Sequence, residues 1–440
     1  MTRLLVIDTR QANGLDFAFR AKQKGHDVRW AVPPSERNQD IGKGLVERVD
    51  DWRDYARWAD IAFLTDNTMH LRELDVWRRD RGMKVIGATC EAAKWELDRS
   101  YGQAILEQHG VGTIQHHEFT DYDKAIEFVK KEKRRFVSKP CGDEPDKSLS
   151  YVSDSGEDMV YMLERWKKAG KLKGRFILQE FVPGIEMAVG GWFGPGGFNA
   201  GWHENFEFKK LMAGDKGPNT GEMGTVLQVV RKSKLAQKVL APLEDALAAM
   251  DYTGYVDVNC IIDEDGTPWP LEFTMRPGWP TFNIQMALHH GDCVSWLECL
   301  SDGQDARPFD VNKTAIGVVM AIPDFPYSHA TRKEVTGIPI YGLTPGTMSE
   351  VHLCEAMMGE APQELGQKIM TAPSIVTAGD YVLVATGVSE TIRGARYQSS
   401  RILDRVKIPN SPFWRPDIGM RLKKQLPVLQ KHGYATSFLF

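Results

Sequence analysis

The chain has little of what would mark a secreted, membrane or metal-cluster protein. Its 440 residues hold six cysteines, Cys90, Cys141, Cys260, Cys293, Cys299 and Cys354. None form a C-x-x-C pair and none stand at zinc-ligand spacing from histidines, so free thiols in a reducing compartment are expected. No apolar run approaches the ~18–20 residues that a membrane span needs. Met1–Asp8 offers only Leu4 to Ile7 before a charge, which predicts a buried strand, not a signal peptide. Charge of one sign is lacking too. The formal net charge is −4, which leaves no basic field for stable nucleic-acid or membrane binding. Small-molecule or protein partners and a cytoplasmic location are the expectation. The loop after the first strand, Asp8-Thr9-Arg10-Gln11-Ala12-Asn13-Gly14, lacks G-x-G-x-x-G, so a nicotinamide or flavin cofactor is not expected.

What is present has the rhythm of an α/β protein. A chain this long exceeds the roughly 250–300 residues at which one core stops growing, so several domains are expected. Short apolar runs at Leu4–Ile7, Asp27–Val32, Ile61–Leu64 and Lys84–Ile86 predict a parallel sheet with crossover helices over residues 1–90. A helix is predicted over Glu91–His109, closed by Gly110, and another over Asp123–Lys131. The strand Arg135–Lys139 then meets a Gly-, Pro- and charge-rich stretch, 140–148, that reads as a flap. The strand Phe176–Phe181 follows, then a helix over Ser233–Asp251 with a kink at Pro242. Tyr255–Ile262 and Trp269–Phe273, joined through Asp265-Gly266, read as a hairpin. From about Lys313 the pattern turns strand-rich, and a boundary falls near 305–315.

Three segments carry candidate chemistry. Lys139 ends an apolar strand just before the flap, where a lysine reaches a phosphate, although strand-end lysines are more often solvated. Period two places Glu272, Thr274 and Arg276 on one face of their strand, with Asp257 and Asn259 together on the preceding one. Those oxygens suit a hard cation such as Mg²⁺, the alternative being a Glu272–Arg276 surface salt bridge. The loop Gly217–Gly224 has backbone N–H groups that suit an anion, or else it is a cluster of structural turns.

In order along the chain, these segments resemble phosphoribosylamine–glycine ligases, members of the ATP-grasp superfamily. Gly217–Gly224 reads GPNTGEMG where that family reads GPNTGGMG, with Lys209 eight residues ahead of it. Phe176–Glu186, FILQEFVPGIE, is similar to the family's adenine- and ribose-holding segment. Leu271–Arg276 is similar to its E-F-N-x-R metal strand, and Phe413–Arg421, FWRPDIGMR, to its R-x-D-I-G-x-R. The resemblance implies an N-terminal Rossmann-like pre-ATP-grasp domain over 1–90. It further implies an ATP-grasp region over 91–310, with a flap-bearing subdomain at about 120–185, and a C-terminal mixed α/β domain over 311–440. It implies ATP and Mg²⁺ (or Mn²⁺) as cofactors. By position, Arg99 and Lys139 would contact the nucleotide. Gln179, Glu180 and Val182 would line the adenine pocket, and Glu186 would take the ribose hydroxyls. Glu272, Thr274 and Asn259 would hold the metal. Arg276 and Lys209 would stabilise the transition state, and Asn219, Thr220, Gly221 and Trp279 would lie against substrate, Trp279 either stacking on a base or serving as core or rim.

The departures lie on the acceptor side. The family's Gly-Gly-Arg-Glu-His-Ala loop is replaced by Asp8–Gly14, its Gly-Pro-Glu by Thr65-Asp66-Asn67, and its F-G-D-P-E by Pro277–Thr281. Each charge-assisted bond to a phosphate is worth roughly 1.5–3 kcal/mol. Losing such a loop therefore predicts a ligase that activates a small amino acid, glycine by resemblance, and joins it to an amine other than phosphoribosylamine, such as a modified nucleoside or nucleotide. The alternatives are the phosphoribosylamine–glycine ligase of purine biosynthesis itself, and a nucleotide-binding relative without turnover.

Overall fold

The computed structural model describes residues 1–141, 150–171, 174–328 and 332–440, without the side chains of Ala200 and Leu365. Most of the flap expected at 140–148 lies outside the described residues. The short apolar runs of the first 90 residues pair as a five-stranded parallel sheet, β1 (Arg3–Ile7), β2 (Asp27–Ala31), β3 (Arg48–Val49), β4 (Ile61–Leu64) and β5 (Val85–Ile86). Their order is β3-β2-β1-β4-β5. The helices α1 (Leu15–Gln23) and α2 (Leu71–Arg81) make the crossovers. Strands buried on both faces read as continuous apolar runs, which is why this sheet was visible in the sequence.

The helix expected over Glu91–His109 is two helices, α3 (Cys90–Leu97) and α4 (Arg99–Gln108). Asp98 between them is extended, and its carboxylate accepts from Tyr101 N at 3.1 Å, so it caps α4 instead of continuing α3. Gly110 does take the left-handed conformation expected of a helix end, with φ 75°.

A four-stranded sheet follows, built from β6 (His116–Phe119), β7 (Phe136–Cys141), β8 (Tyr151–Val152) and β9 (Arg175–Glu180) in the order β6-β9-β7-β8. Helices α5 (Tyr122–Glu132) and α6 (Gly156–Lys168) pack on one face, over Phe136, Phe176 and Leu178. Period two sends Lys139, Ile177 and Gln179 to the opposite face, since Lys139 pairs with Ile177 and Val137 with Gln179.

A nine-stranded sheet forms the body. It includes β10 (Ile185–Gly194) and β11 (Gly197–Glu207), interrupted by the small hairpin β12 (Lys210–Met212) and β13 (Lys216–Asn219). It continues through β14 (Gly224–Val230), β15 (Gly254–Ile262), β16 (Pro268–Thr274) and β17 (Thr314–Ala321). A separate three-stranded sheet holds β18 (Thr336–Pro339), β20 (Ala356–Leu365) and β21 (Lys368–Ala378). The remaining strands, β19 (Val351–Leu353), β22 (Tyr381–Ser389) and β23 (Phe413–Trp414), return to the large sheet. Its path runs β16-β15-β10-β11-β14-β17-β22-β19, so the region expected to stand apart after residue 310 shares this sheet through the β14–β17 pair. The helix expected over Ser233–Asp251 is broken into α7 (Lys234–Val239), a 3₁₀ turn Ala241–Leu243 containing Pro242, and α8 (Glu244–Ala249). Proline lacks the N–H that a continuous helix needs there. Helix α9 (Thr281–Leu288) starts directly after Trp279-Pro280.

Among the described residues no helix is long and apolar enough to cross a membrane. All six cysteines are free thiols.

Candidate functional site

One face of the nine-stranded sheet is polar across five strands, and strand register explains why. Glu272 pairs with Asn259, Asn259 with Ala188, and Ala188 with Asn205. In the next row Thr274 pairs with Asp257, Asp257 with Gly190, and Gly190 with His203. Period two adds Glu186 and Glu207 to the same face, with Thr225 opposite Glu207. Small residues in the central strand let side chains of the next strand close over it. At Gly190 a Cβ would fall 2.1 Å from the Tyr255 hydroxyl and 2.8 Å from Asp257 Oδ2, so only glycine fits beneath these two groups.

Lys209 sits at the centre of this face. Its Nζ lies 2.9 Å from Glu207 Oε2, 3.0 Å from Glu186 Oε1 and 3.7 Å from Glu272 Oε1. The other Glu272 oxygen, Oε2, lies 2.6 Å from Arg99 at the start of α4. Asn259 Nδ2 donates to Glu186 Oε1 at 2.6 Å and to Glu207 Oε2 at 3.4 Å. Its Oδ1 is buried and has no partner. Lys139 reaches across from the four-stranded sheet, and its Nζ lies 3.4 Å from the Leu271 carbonyl.

The charges condition one another. Burial works against the Glu272 carboxylate, but Arg99, Lys209 and Lys139 outweigh it and hold the group well below the usual range. Burial also opposes the Lys209 ammonium, yet Glu186, Glu207 and Glu272 raise it well above its ordinary value. Lys139 has the opposite balance. Burial, with help from Arg99, lowers it to about 7. Asp257 is raised to about 7 by burial and by Glu207, while its Oδ2 accepts from Asn205 at 2.9 Å and Tyr255 at 3.1 Å. Such a concentration of perturbed groups on and over one sheet face marks a functional site.

Glu272, Asn259, Glu186, Lys209, Arg99 and Lys139, each singled out in the sequence, therefore lie together on this face. The Glu272–Arg276 salt bridge does not form. Arg276 instead lies 3.1 Å from Glu96 Oε1, and Glu96 Oε2 accepts from Met275 N and Asn67 Nδ2 at 2.7 and 2.8 Å. Glu180 pairs with Arg134 at 2.9 Å. Gln179 is buried with Nε2 unpartnered, and Val182 lies half-buried between β9 and β10, where the two sheets meet. Asn219 pairs with Lys210 in the small hairpin. The Thr220 N–H and hydroxyl both go to the Lys209 carbonyl, at 2.9 and 2.8 Å, and Gly221 stays exposed. The anion cradle is thus narrower than its glycine content suggested. Trp279 packs edge-on to Phe282 and donates to the Thr65 carbonyl at 3.3 Å.

The sequence reading missed Glu207 and Glu222. Glu207 was legible, standing two residues before Lys209 on the strand that faces Glu186. Glu222 was hidden by its turn-rich neighbours; it is 5% exposed, with Oε1 unpartnered.

Residues 97–281 match the family model described as phosphoribosylglycinamide synthetase, ATP-grasp (A) domain. A phosphoribosylamine–glycine ligase of Ralstonia nicotianae is 26% identical over 354 residues, covering 78% of this chain and 80% of that protein. The solved phosphoribosylamine–glycine ligase of Thermotoga maritima superposes with a TM-score of 0.71 at 20% identity, covering 95% of this chain and all of that one. An L-amino acid ligase from Bacillus licheniformis superposes at 0.57 and 15% identity, covering 93% and 99%. The fold is the ATP-grasp fold, and the resemblance read from the GPNTGEMG, FILQEFVPGIE and metal-strand segments stands.

Proposed function

We propose, from the ATP-grasp domain of phosphoribosylglycinamide synthetase type carried by residues 97–281, that this ADP-forming carboxylate–amine ligase joins glycine to phosphoribosylamine. A different amine was the expectation from the sequence. The relatives favour the purine-pathway alternative, because their names carry this activity over four-fifths of their length. The observation that carries the ligase reading is the Lys209 ammonium held between Glu186, Glu207 and Glu272, with Arg99 and Lys139 beside it.

The residues fit a nucleotide and a hard cation. Gln179, Glu180 and Val182, at the junction of the two sheets, line the adenine pocket, and the second oxygen of Glu186 takes ribose hydroxyls. Lys139 and Arg99 hold phosphate oxygens as point charge and fork respectively. Glu272 and Asn259 hold Mg²⁺ or Mn²⁺, with Thr274 on the same face; the unpartnered Asn259 Oδ1 is an oxygen ligand in want of a cation. The bound cation supplies neutralisation of phosphate charge.

The glycine carboxylate attacks the γ-phosphorus, ADP leaves, and the resulting acyl phosphate meets the amine. Lys209 and Arg276 stabilise the charge that develops on the transferring phosphoryl and acyl oxygens. The amine then displaces phosphate from the acyl carbon to give the amide.

A second reading, with an acceptor lacking this phosphate, rests on Asp8. Its buried carboxylate accepts from Gly14 N at 2.6 Å, Thr9 N at 2.8 Å and Trp30 Nε1 at 3.1 Å. The chain's own anion thus takes donors at the start of α1 that a ligand phosphate would otherwise use. ADP formation with glycine plus phosphoribosylamine, against glycine plus unphosphorylated ribosylamine, decides between them. A preference for the phosphorylated amine supports the first reading, and the reverse preference supports the second.

A further inference from the structure

We infer that Arg415 and Arg421 are positioning residues, which hold the backbone around Lys209 so that its ammonium meets the transferring phosphoryl group. The inference rests on the ligase reading and goes beyond it by giving the C-terminal segment Phe413–Arg421 a part in the reaction.

Lys209 stands where the fold is least able to hold it unaided. It follows the end of β11 and precedes the β12–β13 hairpin, a sheet of two strands whose tip, residues 212–217, is exposed. Two strands alone are marginally stable. Yet each backbone carbonyl from Glu207 to Lys210 accepts a hydrogen bond from a more distant residue. Met223 N–H donates to the Phe208 carbonyl at 2.8 Å and Thr220 N–H to the Lys209 carbonyl at 2.9 Å. The outer two carbonyls go to guanidinium groups. Arg421 Nη2 donates to the Glu207 carbonyl at 2.6 Å, and Arg415 Nη1 to the Lys210 carbonyl at 3.0 Å. Both guanidinium groups also lie over the Phe208 ring, at 4.0 Å for Arg421 and 5.1 Å for Arg415. Lys209 is thus bracketed by two arginine anchors.

The anchors are themselves fixed. Arg415 is 1% exposed, a costly place for a guanidinium unless it is fully paired. Its Nε donates to Asp417 Oδ1 at 2.6 Å, and its Nη2 to Asp417 Oδ2 at 3.1 Å and Asp215 Oδ1 at 2.8 Å. Asp215, at the hairpin tip, also accepts from Arg421 Nη1 at 3.3 Å, and Asp417 Oδ2 from Gly214 N–H at 2.9 Å. Arg415 directly follows β23, which pairs with β17, and Arg421 directly precedes the helix Leu422–Lys431. Gly419, at φ 85°, makes the turn between them. The spacing of the segment therefore returns two guanidinium groups to one loop. Their planar forks bond several acceptors at set angles, which a lysine cannot do.

The carbonyls they grip flank the side chains that meet at the site. Lys209 Nζ lies 2.9 Å from Glu207 Oε2 and 3.0 Å from Glu186 Oε1. A shift of about 1 Å in such a group costs on the order of 10²-fold in rate.

The test is a mutant cycle that pairs Arg415→Lys and Arg421→Lys with Lys209→Met, following ADP formed from MgATP, glycine and phosphoribosylamine. Asp215→Ala joins it, because this exposed tip residue loosens both arginines with little risk to folding. Each arginine variant should lose about 100-fold in kcat while KM for ATP changes by less than about twofold. In the Lys209→Met background the same substitutions should cost less than about threefold, since no ammonium is left to misplace. Asp215→Ala should show the same pattern at smaller size. An equal loss in both backgrounds means that the arginines only staple the fold, and overturns the inference. Unchanged kcat in folded Arg421→Lys and Asp215→Ala overturns it too, and these two decide if Arg415→Lys does not fold. Wild type that forms no ADP overturns the ligase reading, and the inference with it, a result unlike either of these.

Discussion

Glu272 Oε2 lies 2.6 Å from Arg99, so the residue proposed for the metal is held by the first residue of α4 while its other oxygen faces Lys209. One carboxylate therefore joins the strand β16, the helix α4 and the central lysine. Replacing it with glutamine removes the charge but keeps the shape. Glu272→Gln should lower ADP formation by about 10²–10³-fold, as expected for losing a preorganised charge at a phosphoryl-transfer site. A steady-state ADP assay at saturating ATP measures this, and near-normal turnover would remove Glu272 from the chemistry.

Lys139 gives a pH dependence with a definite sign. Burial, with Arg99 beside it, lowers its ammonium to about 7. Bound phosphate favours the charged form, so ATP binding above pH 7 takes up a proton. Affinity for ATP should fall as pH rises beyond about 7, by up to roughly tenfold per unit. Lys139→Met should bind more weakly below pH 7 and show no such dependence. Calorimetric titration in two buffers of different ionisation heat measures the proton uptake, and none in wild type would contradict the assignment.

Much of this site was legible because strands alternate. Glu272, Thr274, Asp257 and Asn259 could be placed on one face from period two and the Asp-Gly turn alone. Lys139 and Gln179 likewise fell on the face of their sheet away from the helices. What stayed hidden depended on side-chain partners across the fold. Nothing local says that Arg99 meets Glu272, or that Arg276 turns to Glu96. The long helix over Glu91–His109 looked continuous because Asp98 keeps an acceptable helical pattern, and only its capping bond to Tyr101 breaks it. Glu222 sat in a motif rich in turn residues, where burial of an acid has no sequence signature. The strands after residue 313 were visible as strands, but their return to the large sheet is a long-range pairing that composition does not record.

Asp8 supplies a stability prediction. Burial raises its carboxyl to about 6, against about 3.9 in an unfolded chain. Between those values the folded protein holds a proton that the unfolded chain has released, so this group makes stability fall as pH rises from about 4 to about 6. The full effect is roughly 3 kcal/mol. Asp8→Asn should flatten that slope in thermal unfolding scanned from pH 4.5 to 7. An unchanged slope would show that Asp8 ionises normally.

Gly190 should tolerate no side chain. An added methyl would displace the Tyr255 hydroxyl and Asp257 from their present contacts. Gly190→Ala is expected to destabilise by about 1–3 kcal/mol, as overpacking commonly does, and to reduce ADP formation with it. Urea unfolding measures the first effect, and an unchanged midpoint would mean that the sheet face is looser than its geometry.

In the proposed reaction a carboxylate is phosphorylated at the Lys209–Glu272 cluster before the amide bond forms. Glycine labelled with ¹⁸O in its carboxylate, incubated with the protein, MgATP and phosphoribosylamine, tests it directly through the isotope content of the released phosphate. One ¹⁸O atom per phosphate, appearing only when both co-substrates are present, is the result predicted. Unlabelled phosphate released alongside ADP would mean that water, not a carboxylate, attacks ATP, and would rule out the acyl-phosphate route.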